Sequence, residues 1–192
     1  MLSILLVLFM PKPDTFFIRH QVACPRGTYN ESPIDLGAFV DALGKSVLRI
    51  LNVEGEFVAG PDSQISGTIE NGPPFMKGDN AGGATWQLTT QQQNELVGLD
   101  NKSIVAKGQL WARNPDTSAN PPATTYSDSH LPQHFSQGYL VAVEQLYLAA
   151  HIENEWSSNT DEDGDVRFNI VLECQVETLS EKAAMALALS QS

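Results

Sequence analysis

Between Asn159 and Asp165 the chain sets oxygen-bearing side chains at alternate positions, Asn159, Asp161, Asp163 and Asp165, with Gly164 among them. That spacing opens a calcium loop, where a hard cation takes oxygen ligands and a glycine permits the sharp turn. Counting on from Asn159, the twelfth position is Ile170, where such a loop needs a bidentate glutamate, and both flanks read as strands rather than helices. The stretch therefore reads first as a solvated turn of Asp-Gly chemistry between two strands. Calcium is the cofactor it would take if it takes one.

The remaining chemistry-bearing residues are weaker in pattern. His130 and His134 would share a face only on a helix, Pro132 stands between them, and no third zinc ligand follows at a suitable spacing. They read as loop-surface residues. Asp128, Ser129 and His130 have the residue types of a hydrolytic triad, but a triad is assembled from distant segments, and neighbours in sequence cannot form its hydrogen-bond chain. His20 and His151 fall within strands and read as core-edge residues with hydrogen-bonded rings. Nucleophile elbow, phosphate-binding glycine loop, dinucleotide fingerprint and HExxH are all missing. The expectation is a protein without catalysis. Asn30 with Ser32 and Asn101 with Ser103 form glycosylation sequons, the first beside Pro33. Cys24 and Cys174 read as buried inert thiols, and could pair only if the first and last strands bring their Cα atoms within about 7 Å.

Two long segments flank the acidic turn: Tyr139 to Ile152 and Val166 to Glu177. Both are rich in residues that suit a half-buried pleated surface, and they read as the two arms of one hairpin. Upstream, Asp14 to Ala23 reads as a strand. Ser32 and Pro33 look like an N-cap and first helical position, and Leu36, Phe39, Val40 and Leu43 recur at helical spacing, predicting a short helix over 33–43 with Gly44 as its stop. Lys45 to Ala59 reads as a long strand, bulged or bent at Gly55. Gln64 to Glu70, Ala84 to Thr90 and Lys102 to Arg113 are further strands, the last with Ile104, Ala106 and Leu110 on one face and Val105 and Trp111 on the other. Asn114 to Gln137 is a long polar stretch without period, read as a loop that meets a partner. Thr178, Leu179, Ser180 and Glu181 form a capping box before an alanine-rich helix over 179–189.

About seven or eight strands, one inserted helix and one C-terminal helix predict a mostly β, antiparallel β-sandwich, a jelly roll in preference to an immunoglobulin-like domain. At 192 residues the sandwich fits one domain over 14–192. The net charge of −12 would repel a phosphate backbone, which excludes extensive direct nucleic-acid binding. Residues 1–13 form an apolar N-terminal arm. Met1 to Met10 is too short to span a bilayer, which takes roughly 20 residues, and it lacks the basic start and cleavage site of a signal peptide. An arm on a neighbouring subunit, a tail near a membrane, a cleaved signal and a start at Met10 remain alternatives.

Ser32 to Asn52, leading into a long strand, and the closing Val166 to Ser190 together resemble the small single jelly-roll capsid proteins of icosahedral viruses, the prokaryotic, archaeal-type ones most of all. The resemblance implies a self-assembling capsid or shell subunit without catalytic residues, located in the virion, whose partners are copies of itself and other shell subunits. It also implies a shell around an internal membrane and no direct contact with the genome. The alternative is an extracellular β-sandwich binding module for carbohydrate or a surface partner, with Trp86, Trp111, Tyr126 or Trp156 as stacking faces.

Overall fold

In the computed structural model, strand β11 (Val166–Thr178) alternates buried Val166, Phe168, Ile170, Leu172 and Cys174 with half-exposed neighbours, so one face of the strand turns to the core. Its partners are β1 (Phe16–Ala23) on one side and β3 (Ser46–Ala59) on the other, and β3 in turn pairs with β8 (Tyr139–Val141). These four form one antiparallel sheet. The facing sheet runs β2 (Asn30–Asp35), β9 (Gln145–Ile152), β5 (Asn80–Thr89), β6 (Ile104–Asn114) and β7 (Ala123–His130). Two-residue strands β4 (Phe75–Met76) and β10 (Trp156–Ser157) pair with each other, and helix α1 (Glu181–Gln191) ends the chain. The described residues are 14–41, 45–59, 75–76, 80–114, 123–153, 156–157 and 166–192.

Setting aside β4, β10 and the edge strand β7, eight strands remain among the described residues, and their pairing is nested. The first pairs with the eighth (β1 with β11), the second with the seventh (β2 with β9), the third with the sixth (β3 with β8) and the fourth with the fifth (β5 with β6). A long antiparallel hairpin rolled into two sheets gives this order, which is the jelly roll. The core between the sheets is apolar: Trp86 stacks on Phe168 at 4.8 Å and Phe57 tilts against the same ring at 4.8 Å. Among the described residues, no helix is long and apolar enough to cross a membrane.

Several expectations change. The two arms around the acidic turn do not pair with each other. β9 lies between β2 and β5, β11 lies between β1 and β3 in the opposite sheet, and the apolar content of each reflects a central place in its own sheet. Among the described residues 33–41 the expected inserted helix (33–43) does not form. Residues 30–35 are strand β2, with Ser32 opposite Leu148 and Pro33 opposite Tyr147, and the helical spacing of Leu36 and Val40 serves a single turn closed by Val40 N–H donating to Leu36 O at 2.9 Å. Asp35, the last residue of β2, accepts from Gly37 N–H at 2.8 Å and so shapes the turn that follows the strand.

Gly55 marks no bulge; it lies opposite Ile170, and a Cβ there would run into the Phe168 ring. The register shift in this pair lies instead at Leu51, between Ile50 opposite Cys174 and Asn52 opposite Glu173. In β6 a second shift, at Val105, turns Val105 into the core with Ala106 and Leu110, while Trp111 stands outside. The stretch Asn114 to Gln137 carries β7, a polar edge strand, and a short 3-10 turn at Pro132–His134. Helix α1 starts two residues later than its capping box suggested, because Ser180, not Thr178, is the N-cap and accepts from Ala183 N–H at 3.4 Å. The strand expected at Gln64 to Glu70 lies outside the described residues.

Candidate interaction surfaces

Apolar side chains fill the space between the sheets among the described residues, which leaves the outward faces as the surfaces open to contact. The outward side of the five-stranded sheet is partly covered by the chain's own segment 90–103, and a buried glutamine holds it there. Gln87 projects outward from β5, yet it is fully buried because residues 93–98 fold over it. Its Nε2 donates to Glu95 O at 3.0 Å and to Tyr29 Oη at 3.2 Å, while its Oε1 accepts from Val97 N–H at 2.9 Å. Glu31 extends the network, accepting from Tyr29 Oη and from Gln93 N–H, both at 3.0 Å. Burial, reinforced by the Glu31 carboxylate, drives the Tyr29 phenol above its ordinary range. It stays a neutral donor.

A second glutamine anchors the C-terminus. Gln191, buried on α1, accepts from Ala142 N–H at 2.8 Å and donates to Leu140 O at 2.6 Å. Its main-chain carbonyl accepts from Thr90 Oγ1 at 2.9 Å and Gln91 Nε2 at 3.1 Å. Helix, β8 and segment 90–103 are thereby tied into one unit. Sequence reading missed both glutamines, since a lone Gln carries no local pattern. The one available signal was Gln87 inside an otherwise apolar strand.

The outward side of the four-stranded sheet differs. Gln21, Asn169 and Glu56 sit in one cross-strand row, with Gln21 Nε2 donating to Asn169 Oδ1 at 2.6 Å and Asn169 Nδ2 to Glu56 Oε1 at 3.5 Å. Arg167 Nη1 donates to Gln21 Oε1 at 2.8 Å. Beside this ladder lies an open groove of about 900 Å³. Phe17, on the same outward side of β1, is 55 % exposed, with the Arg19 guanidinium 5.6 Å from its ring centre. Nearer α1, the Arg49 guanidinium grips the Glu177 carboxylate through two bonds and holds that carboxyl below its usual value.

Of the sequence candidates, Asn159, Asp161, Asp163 and Asp165 lie outside the described residues. His130 ends β7 and His134 lies in the 3-10 turn. The His130 ring leans on Phe135 at 5.2 Å, and burial, then the nearby His134, lowers its pKa. No third ligand joins them: among the described residues no group of three or more His, Cys, Asp or Glu side chains could hold a metal. Asp128, Ser129 and His130 are successive positions of one strand, whose side chains alternate between faces. His20 Nε2 bonds Ser32 Oγ at 2.8 Å, as a core-edge ring should.

Cys24 and Cys174 are free and buried, and burial pushes each thiol up to about 12. Cys174 pairs with Phe16 while Ala23, next to Cys24, pairs with Arg167. Cys24 therefore lies beside Val166, to which its N–H donates, and the offset to Cys174 along β11 is about 26 Å at 3.3 Å per residue, so no disulfide can join them. In the sequons, Asn30 Nδ2 is engaged by Ala23 O at 2.9 Å and Asn101 Oδ1 by Ser103 Oγ at 2.7 Å. Trp86 is core and cannot stack on a ligand, whereas Trp111 is 43 % exposed. The side chains of Tyr126 and Trp156 lie outside what is described.

No family model and no curated protein matches the chain. Solved structures with a similar chain path include VP1 of Trichodysplasia spinulosa-associated polyomavirus, at 13 % identity over 88 % of this chain and 97 % of that one with a TM-score of 0.38. Merkel cell polyomavirus VP1 is similar in complex with 3'-sialyllactosamine (10 % identity, 87 % and 96 % covered, TM-score 0.41) and as an unassembled pentamer (11 %, 88 % and 98 %, 0.38). At these values the likeness adds nothing to the nested strand pairing, which defines the fold by itself.

Proposed function

We propose that the chain is a non-catalytic structural subunit that self-associates into a viral capsid or comparable shell, with residues 14–192 as its single domain. The observation that carries this reading is the nested jelly-roll pairing around a filled core. Jelly rolls serve as capsid subunits, lectins and cupins, and fold alone does not choose among them. A cupin-type enzyme needs polar ligands inside the barrel, and here Trp86, Phe57 and Phe168 occupy the space between the sheets. The four-stranded sheet offers a broad outward face with Phe17 exposed on it, which suits contact with another protein surface. The sequence pattern points to the prokaryotic, archaeal-type shell proteins, and the charge of −12 suits a coat that leaves the genome untouched.

Electron microscopy of the native source tests the reading. This chain should occur in a repeating lattice of a virion, and its absence from every particle would remove the proposal. One observation favours a binding module as second reading: Trp111 stands on the outward side of β6 with Gly83 opposite it and exposed Thr125 on β7 beside it, an open aromatic platform of the kind sugars stack on. A glycan array in which Trp111→Ala abolishes a specific signal would establish that reading. A blank array would dismiss it.

A further inference from the structure

Among the described residues β1, β8, β2 and β7 form the margins of the two large sheets, and all but β1 are closed to further pairing. In β2, Leu36 N–H donates to Glu144 O at 2.8 Å, so Ser32 and Ile34 turn their main chains to β9, and Pro33, which has no N–H, faces the open side. β8 is three residues long. Just beyond it Gln133 occupies the margin of β3, accepting from Val53 N–H at 3.1 Å and donating to Val53 O at 2.9 Å. β7 is bulged against β6, where Gly108 faces Asp128 and Lys107 faces His130. Proline, short length and bulges are the devices that keep sheet margins from pairing. Strand β1 has none of them. Its residues FFIRHQVA run against β11 without a break in register, and they include neither proline nor lysine.

We propose that β1 pairs antiparallel with β1 of a second copy of the chain, about a two-fold axis at Ile18, so that the four-stranded sheets of two subunits run on into one another. Because Cys24 N–H donates to Val166 O at 2.8 Å, Phe16, Ile18, His20 and Val22 turn their main chains to β11, and Phe17, Arg19 and Gln21 turn theirs to the open margin. Among the described residues no strand meets them there. Such a row of N–H and C=O groups is matched by another extended chain. At Ala23 the margin is already closed, since its carbonyl accepts from Asn30 Nδ2 at 2.9 Å, which leaves the stretch from Thr15 to Gln21 with Ile18 at its midpoint. The side chains suit a like partner. Phe17 is 55 % exposed on the outer side, and Phe16 and Ile18 are only partly buried on the inner one. Centred on Ile18, the pairing sets Ile18 against its own copy and Phe17 against Arg19 of the second copy, repeating the guanidinium-on-ring contact that the two residues make within the strand at 5.6 Å. A register centred on Arg19 would oppose two like charges. This contact rests on the self-association reading and gives it a surface.

Hydrogen exchange of the full chain at low and high concentration, in salt that screens the net charge of −12, tests it. The amides of Phe17, Arg19 and Gln21 should slow by at least about tenfold as the oligomer forms. Ile18→Cys should close a disulfide between subunits under gentle oxidation, because facing residues of a non-hydrogen-bonded pair lie about 4.5 Å apart at Cα, whereas Thr125→Cys on the margin strand β7 should stay open. Phe17→Lys, at an exposed position, sets a cation against Arg19 of the second copy and should weaken association about tenfold by sedimentation, while Phe17→Glu should stay within about threefold of wild type. The proposal is overturned, with self-association left standing on another surface, by an oligomer in which those three amides still exchange freely, by Ile18→Cys linking no better than Thr125→Cys, or by equal weakening in the two Phe17 variants. A chain that stays monomeric throughout overturns both.

Discussion

The outward sides of the two sheets are built differently. Over the five-stranded sheet the chain folds its own segment 90–103 back onto β5 and secures it with the three bonds of buried Gln87. Over the four-stranded sheet, among the described residues, α1 lies at one end, and the rest carries a polar ladder with Phe17 standing out. One side is finished by the chain itself. Among the described residues the other is left open, and the difference is one of construction: a buried hydrogen-bonded clamp on the first side, an exposed polar surface on the second.

Breaking the shared core should have the largest effect. Phe168→Ala empties the ring position on which Trp86 and Phe57 both pack, for a loss of about 3–5 kcal/mol by denaturant unfolding. Gly55→Ala, which forces a methyl against the same ring, should cost about 1–3 kcal/mol. On the finished side, Gln87→Leu leaves the Val97 N–H and Glu95 carbonyl without their partner, for about 1–3 kcal/mol, and hydrogen exchange should quicken at residues 93–98 before any other segment. If exchange there stays unchanged, the clamp is not what holds that side closed.

On the open side the effects should be small. Arg49 and Glu177 are partly exposed, at 16 % and 25 %, so Arg49→Met should cost no more than about 1 kcal/mol. Its sign with pH is fixed. Because Glu177 has its folded pKa lowered by Arg49, the contribution is present above the ordinary carboxylate value, and it is lost as pH falls through the lowered one. Wild type and variant should therefore converge in acid and differ at neutrality. Smallest of all, Trp111→Ala should shift stability by only about 0.5 kcal/mol, as outward substitutions do. A loss matching that of Phe168→Ala would mean that the platform is structural.

Strand and helix positions were largely legible because burial writes a local pattern: the alternation in β11 and the alanine-rich run of α1 are visible without any partner. Pairing was not legible. β9 and β11 flank the acidic turn and are both rich in apolar residues, and the long-range partners β2, β5, β1 and β3 separate them into two sheets. Strand β7 escaped notice because ATTYSDSH on a sheet edge lacks the apolar alternation that betrays other strands. Ser32 and Pro33 imitate a helix start, yet Ile34 opposite Leu146 and Ser32 opposite Leu148 gain more from the sheet than one helical turn could supply. The candidate surfaces were less legible, because Gln87 and Gln191 act through long-range partners such as Tyr29 and Ala142, which no local spacing announces.

Self-association is the central claim, and sedimentation velocity of the purified full chain over a hundredfold range of concentration tests it most directly. With 12 net negative charges per subunit, raising the salt should screen repulsion and drive the chain into a discrete oligomer or closed particle. A chain that stays strictly monomeric at the highest concentration and in high salt would contradict the account.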